Sequence, residues 1–145
     1  MRVMALDVGE KTVGVALSDE LRMTVNPYET IRRDGGEMNR LQAIISTQHV
    51  TEIVVGLPLS LNGSEGPSSE RARAFVTALI PLTSASVVTQ DERLSTTEAE
   101  RRLVEADVRR SRRRQVIDSV AAALILESYL ARTAPPSSSW LDDED

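Results

Sequence analysis

Cysteine is absent from this chain, which excludes disulfides, thiolate metal sites and cysteine nucleophiles. There is one histidine, His49, too little imidazole for a zinc centre of the usual composition, and its place ahead of a strand fits a structural or exposed residue. No apolar run approaches the ~20 residues needed to cross a bilayer. The N-terminus shows no charged leader followed by an apolar segment and a cleavage site, so a cytoplasmic protein is expected. Lysine is nearly missing too: Lys11 is the only one.

What remains is an ordinary globular composition, 41% hydrophobic and 27% charged over 145 residues, enough for one domain with a real core. That domain is expected over residues 1–132, with a flexible acidic C-terminal tail over 133–145. The formal net charge of -5 argues against a protein that coats nucleic acid non-specifically. The sum conceals an asymmetry, because seven arginines fall between Arg101 and Arg114, opposed only by Glu105 and Asp107. A local basic surface survives.

Periodicity divides the chain into elements. "RVMALDV" has the continuous apolar character of a central strand, and "TVGVALSD" alternates Val13, Val15 and Leu17 after the turn "GEKT", so the two form a hairpin. "MTVNPYETI" carries Pro27 and is therefore an edge or bulged strand. "EMNRLQAIISTQ" and "SERARAFVTALIP" have helical spacing, while "TEIVVGLPL" and "ASVVTQDER" are strands. Ser95 and Glu98 have the spacing of a capping box for a helix "TEAERRLVEA". The basic "DVRRSRRR" is expected as a loop before a final, largely buried helix "QVIDSVAAALILESYLA". The order is β-β-β-α-β-α-β-α-α, which predicts an α/β fold: a mixed five-stranded sheet, hairpin first and crossovers later, flanked by helices on both faces.

Three acids interrupt or close apolar elements: Asp7 in the first strand, Glu92 beside Asp91 at the end of the fifth, and Asp118 near the start of the last helix. An unpaired carboxylate in an apolar strand is costly, so Asp7 needs a partner. With the first strand central, the other two acids can approach it, and converging carboxylates need protons or cations to coexist. Oxygen ligands alone select hard ions, Mg²⁺ or Mn²⁺, and two such ions suit phosphodiester hydrolysis. Each acid also has a plainer role: Asp7 closing a turn on amides near Gly9, Asp91 and Glu92 as solvated strand-end residues, Asp118 as a helix N-cap. Lys11, in a glycine-flanked turn, and Arg93 are candidate phosphate ligands, and the run Arg109, Arg110, Arg112, Arg113, Arg114 suits a phosphate backbone.

Taken jointly, "DVGEKTVGVALSD", "VVGLPL", "QDERLSTTEA" and "RRRQVIDSVAAALILESYL" resemble the YqgF/RuvX family of bacterial RNase H-like nucleases over roughly residues 1 to 131. The resemblance implies an RNase H-like fold, a Mg²⁺-dependent phosphodiesterase site and a role in maturing the 5′ end of 16S rRNA from its precursor. It places the catalytic acids at Asp7, Glu92 and Asp118, with Asp91 as an alternative metal ligand and Lys11 beside them. One departure stands out: the family often carries arginine directly after the lysine, where this chain has Thr12. Arg93 or the Arg109–Arg114 run would have to replace that cation.

The resulting expectation is an endonuclease acting on structured nucleic acid, precursor rRNA or branched DNA, as a monomer or homodimer. A Holliday junction resolvase is the alternative activity, and it would need two sites facing a two-fold substrate. A non-catalytic nucleic-acid-binding module is a second alternative. A kinase-like ATPase, suggested by "DVGEKTVG", would need a second phosphate loop that the chain lacks.

Overall fold

The computed structural model describes residues 1–58, 66–91 and 110–133, with side chains in the last segment from Ser119 onward. Strands β1 (Arg2–Val8), β2 (Thr12–Ser18) and β3 (Val25–Arg32) lead into helix α1 (Glu37–Thr47). Strand β4 (Val50–Leu57) then precedes helix α2 (Pro67–Leu79), which tightens into a 3₁₀ turn at Ile80–Leu82. Strand β5 (Ser86–Asp91) and helix α3 (Arg110–Thr133) complete the described elements. The sheet has the order β3-β2-β1-β4-β5. The β1–β2 and β2–β3 pairs are antiparallel, and β1–β4 and β4–β5 are parallel. The predicted mixed sheet, with its hairpin first and β1 at its centre, is present.

Burial follows from alternation along each strand. Met4, Leu6, Val13, Val15, Ile53 and Val55 pack under Leu41 and Ile44 of α1 and Ala72, Phe75 and Leu79 of α2. The opposite face presents Val3, Ala5, Ala16 and Val54 to Ala122, Ala123, Ile125 and Leu126 of α3. Being covered on both sides, β1 is apolar almost throughout, as a central strand must be. Alanines on both partners let α3 lie close to the sheet.

Strand β3 is both an edge and bulged. Its register with β2 shifts between Val15↔Glu29 and Ala16↔Pro27, so Tyr28 is the extra residue, and Pro27 costs the ladder nothing essential. Helix α2 begins at Pro67, two residues before the expected Ser69, because proline is favoured in a first turn where no amide partner is needed.

The basic segment requires a correction. Arg110, Arg112, Arg113 and Arg114 lie on the backbone of α3, not in a loop. Arginine is a good helix former, and nothing in "RSRRRQ" breaks the helix, so charge was a poor guide to backbone there. The capping box and helix expected around Ser95–Ala106, together with Glu92, Arg93, Arg109 and the tail beyond Thr133, fall outside the described residues.

At the sheet end remote from Asp7, the Tyr129 hydroxyl donates to the Glu52 carboxylate, which also faces Arg22 at 3.6 Å. Burial and then this hydrogen bond push the phenol up to about 12. At the β2–β3 turn, Asp19 accepts the amides of Met23 at 2.7 Å and Thr24 at 3.0 Å, and chiefly the Thr24 bond holds its carboxyl below the usual range.

Two outcomes are expected. Phe75→Ala empties the centre of the α2 face and should cost about 3–5 kcal/mol in chemical denaturation. Because folding raises the Tyr129 pKa, its contribution is complete below the unfolded tyrosine value of ~10 and fades as pH climbs toward 12. Over that interval the urea midpoint of the native protein should fall more steeply than that of Tyr129→Phe.

Candidate active site

Asp7 owes its position to the alternation that builds the core. Val3, Ala5 and Asp7 share one face of β1, and the first two are packed against α3. The third lies past that apolar cluster, half-buried, one residue before the strand ends. Its cross-strand partner is Gly14, and next to that in the same row is Thr30 of β3. Gly14 therefore sits within β2 rather than in the turn, and it places no side chain beside the carboxylate. Asp7 also lies at the carboxyl end of three parallel strands, β1, β4 and β5, the edge at which open α/β sheets collect ligands.

The turn after Asp7 is held from outside. Gly9 N–H donates to Thr12 O at 2.8 Å, so that amide is committed to backbone rather than to closing a turn on Asp7. A Cβ at position 9 would stand 3.0 Å from the same carbonyl, tighter than ordinary contact. Arg33 then grips the turn twice: its amide donates to Lys11 O at 2.9 Å and its guanidinium to Gly9 O at 3.0 Å. The guanidinium also pairs with Glu37 at 3.3 Å and lies over the Phe75 ring, 5.3 Å from its centroid. Glu37, first residue of α1, is held below the usual carboxylate range by its own amide, by that of Gly35 and by Arg33. Gly35 has φ +103°, a conformation that favours glycine. Arg33 is the residue that the sequence reading missed; the signal was an arginine between an edge strand and "DGGE", ahead of a helix start.

Lys11 and Thr12 line a cavity of about 770 Å³ together with Arg32, Arg33 and Ser119 of α3. Helix α3 crosses the sheet with Ser119 at this end, Ile125 O accepting Gln90 Nε2 at 3.1 Å, and Tyr129 at Glu52 on the far end. Asp118 precedes Ser119, one turn before the buried Ala122. It lies more than two turns inside α3, which rules out the N-cap reading; its side chain is not among those described.

Asp91 pairs in register with Leu57, whose side chain belongs to the α1–α2 core. It thus faces away from the Asp7 side of the sheet; the residue is half-buried, with its Oδ1 shielded from water. Gln90 lies on the α3 side. Among the described residues no three histidine, aspartate or glutamate side chains come together, and Glu92, Arg93 and Arg109 lie outside them. The side chains of Arg110, Arg112, Arg113 and Arg114 are likewise not described. His49 is exposed, at a turn with φ 55°. No helix among the described residues is long and apolar enough to cross a membrane.

The chain is similar to known proteins. A protein of Symbiobacterium thermophilum named "Putative pre-16S rRNA nuclease" is 51% identical over 97% of this chain and 100% of its own. One of the same name from Myxococcus xanthus is 45% identical over 99% and 97%. Among solved structures, T. thermophilus RuvC in complex with a Holliday junction superposes with a TM-score of 0.55 at 14% identity, covering 92% of this chain and 96% of that one. The fowlpox virus Holliday junction resolvase gives 0.51 at 14%, covering 91% and 99%. At such identities these two speak to the fold, which is RNase H-like. Residues 1–132 match the family described as "RuvX: Holliday junction resolvase", and the chain belongs to that family.

Proposed function

We propose that this protein is a metal-dependent endonuclease that hydrolyses phosphodiester bonds in structured nucleic acid, and that its substrate is the 5′ end of precursor 16S rRNA in the cytoplasm. The observation that carries the reading is Asp7: a half-buried carboxylate near the carboxyl end of the central strand, just past the apolar cluster that packs against α3. The relatives named for pre-16S rRNA processing support the choice of substrate.

Asp7, Glu92 and Asp118 are the residues that would hold Mg²⁺, or Mn²⁺ in its place. Their all-oxygen donor set suits a hard cation, and the chain has no thiolate to compete. Between the two neighbouring acids at the end of β5, the orientation of Asp91 toward the α1–α2 core favours Glu92. When bound, such ions supply positive charge to the phosphoryl oxygens and make water a stronger acid. The chain itself does the positioning. Arg33 fixes the Gly9–Lys11 turn, and the Lys11 ammonium would offset the negative charge that grows on the phosphate as the new P–O bond forms. The arginines of α3 would draw in the backbone of the substrate.

The family description favours one second reading, cleavage of a Holliday junction. It requires two active sites related by a two-fold axis, hence a homodimer on the junction. A labelled precursor 16S rRNA fragment and a four-way DNA junction, each incubated with Mg²⁺ or with chelator, separate the two. Cleavage of the RNA alone, abolished by chelator, is expected. Binding without cleavage of either would leave only a nucleic-acid-binding module.

Asp7→Asn keeps the shape of the side chain while removing its charge. Turnover should fall at least roughly 10³-fold, about 4 kcal/mol of barrier, while affinity for the RNA stays within a few-fold of native. Single-turnover cleavage beside a binding titration checks the split.

A further inference from the structure

Arg32 closes β3 directly opposite Thr12, and both line the cavity that also contains Lys11 and Ser119. The two arginines at the end of this strand have separate duties. Arg33 is tied to Gly9 O, Glu37 and the Phe75 ring. Arg32 is exposed and, like Lys11, forms no ion pair among the described residues.

The acids of the cavity do not offset these two cations. Glu29 is bonded to Arg40 through both oxygens, at 2.5 and 2.9 Å. Asp34 accepts the amide of Gly36 at 3.0 Å and forms no ion pair. Glu10, although next to Lys11, is not part of the lining. Of the unpaired charges, two are positive and one is negative. A fork of guanidinium donors beside an ammonium matches the oxygens of a phosphodiester.

Register places this pair relative to the proposed catalytic acid. Asp7, Gly14 and Thr30 form one row across the sheet, and Arg32 lies two residues beyond Thr30 on the same face. Two strand spacings and two residues of rise separate Asp7 from Arg32 by roughly 12 Å. Lys11 stands in the turn between them.

We infer that Arg32 binds a backbone phosphate of the substrate strand flanking the one that is cleaved, so that the strand enters the site over the β2–β3 edge of the sheet. This rests on the nuclease reading for its ligand. Arg32 also supplies, from the neighbouring strand, a cation beside Thr12.

The test measures binding of the labelled precursor 16S rRNA fragment and of the four-way junction in chelator, across a salt series, for the native protein, Arg32→Gln, Arg32→Lys and Arg40→Gln. Arg32→Gln should weaken binding about tenfold at low salt. It should also flatten the slope of log K against log salt by ~0.7–0.9, one phosphate contact. Arg32→Lys should restore the slope, whereas Arg40→Gln, which uncovers the Glu29 carboxylate in the same cavity, should also weaken binding at low salt. In cleavage assays Arg32→Gln should raise KM more than it lowers kcat. A native slope for Arg32→Gln on the nucleic acid that binds overturns the inference, as does binding to neither probe. If the native protein binds but cleaves nothing, the nuclease reading fails while the salt slope still decides the role of Arg32.

Discussion

A carboxylate on the central strand of a close-packed sheet is the constraint around which the rest of this molecule is arranged. Asp7 follows Val3 and Ala5 on one face of β1, and those two are almost fully enclosed by α3. Removing a charge from water at such a place costs several kcal/mol unless something neutralises it. The apolar cluster ends just short of Asp7, and the carboxylate is half-buried rather than sealed. Candidate site and core are two ends of one strand face.

Helix α3, through Ser119, and the turn residue Lys11 line a neighbouring cavity whose lining does not include Asp7. Ala5, Ala16 and Ala122 allow the helix to lie close over the sheet, and its Ser119 end reaches the cavity beside Lys11. The far end is tied by Tyr129 to Glu52, and the middle by Gln90 to a helix carbonyl. These two ties, with the close alanine packing, leave the helix little freedom to slide, so what its first described side chains present to the cavity is set by packing further along. The turn is clamped by Arg33, which draws on α1 through Glu37 and on α2 through Phe75. Elements of the opposite layer thus hold the turn that follows Asp7. Preorganisation of this kind is what electrostatic catalysis requires.

Much of this was legible in the sequence because the physics was local. The continuous apolar run of β1, the alternation of β2 and Pro27 in β3 each reflect burial or backbone chemistry that acts residue by residue, and each element is where the pattern puts it. The segment "RRSRRRQ" misled because clustered charge says that a surface is solvated, not that its backbone leaves the helix; α3 starts at Arg110. The N-cap reading of Asp118 fell with it. Arg33 was invisible for another reason. Its partners Gly9, Glu37 and Phe75 come from three different elements, and no spacing along the chain encodes their meeting. The different duties of Arg32 and Arg33 likewise emerge only from the pleat and register of β3.

The central claim is that Asp7 shares a divalent cation with Glu92 and Asp118. Anomalous diffraction from crystals soaked in Mn²⁺ tests it most directly. Manganese is expected within about 2.2 Å of a carboxylate oxygen of each of the three acids. Manganese bound elsewhere, with no Asp7 oxygen in its coordination sphere, would contradict it.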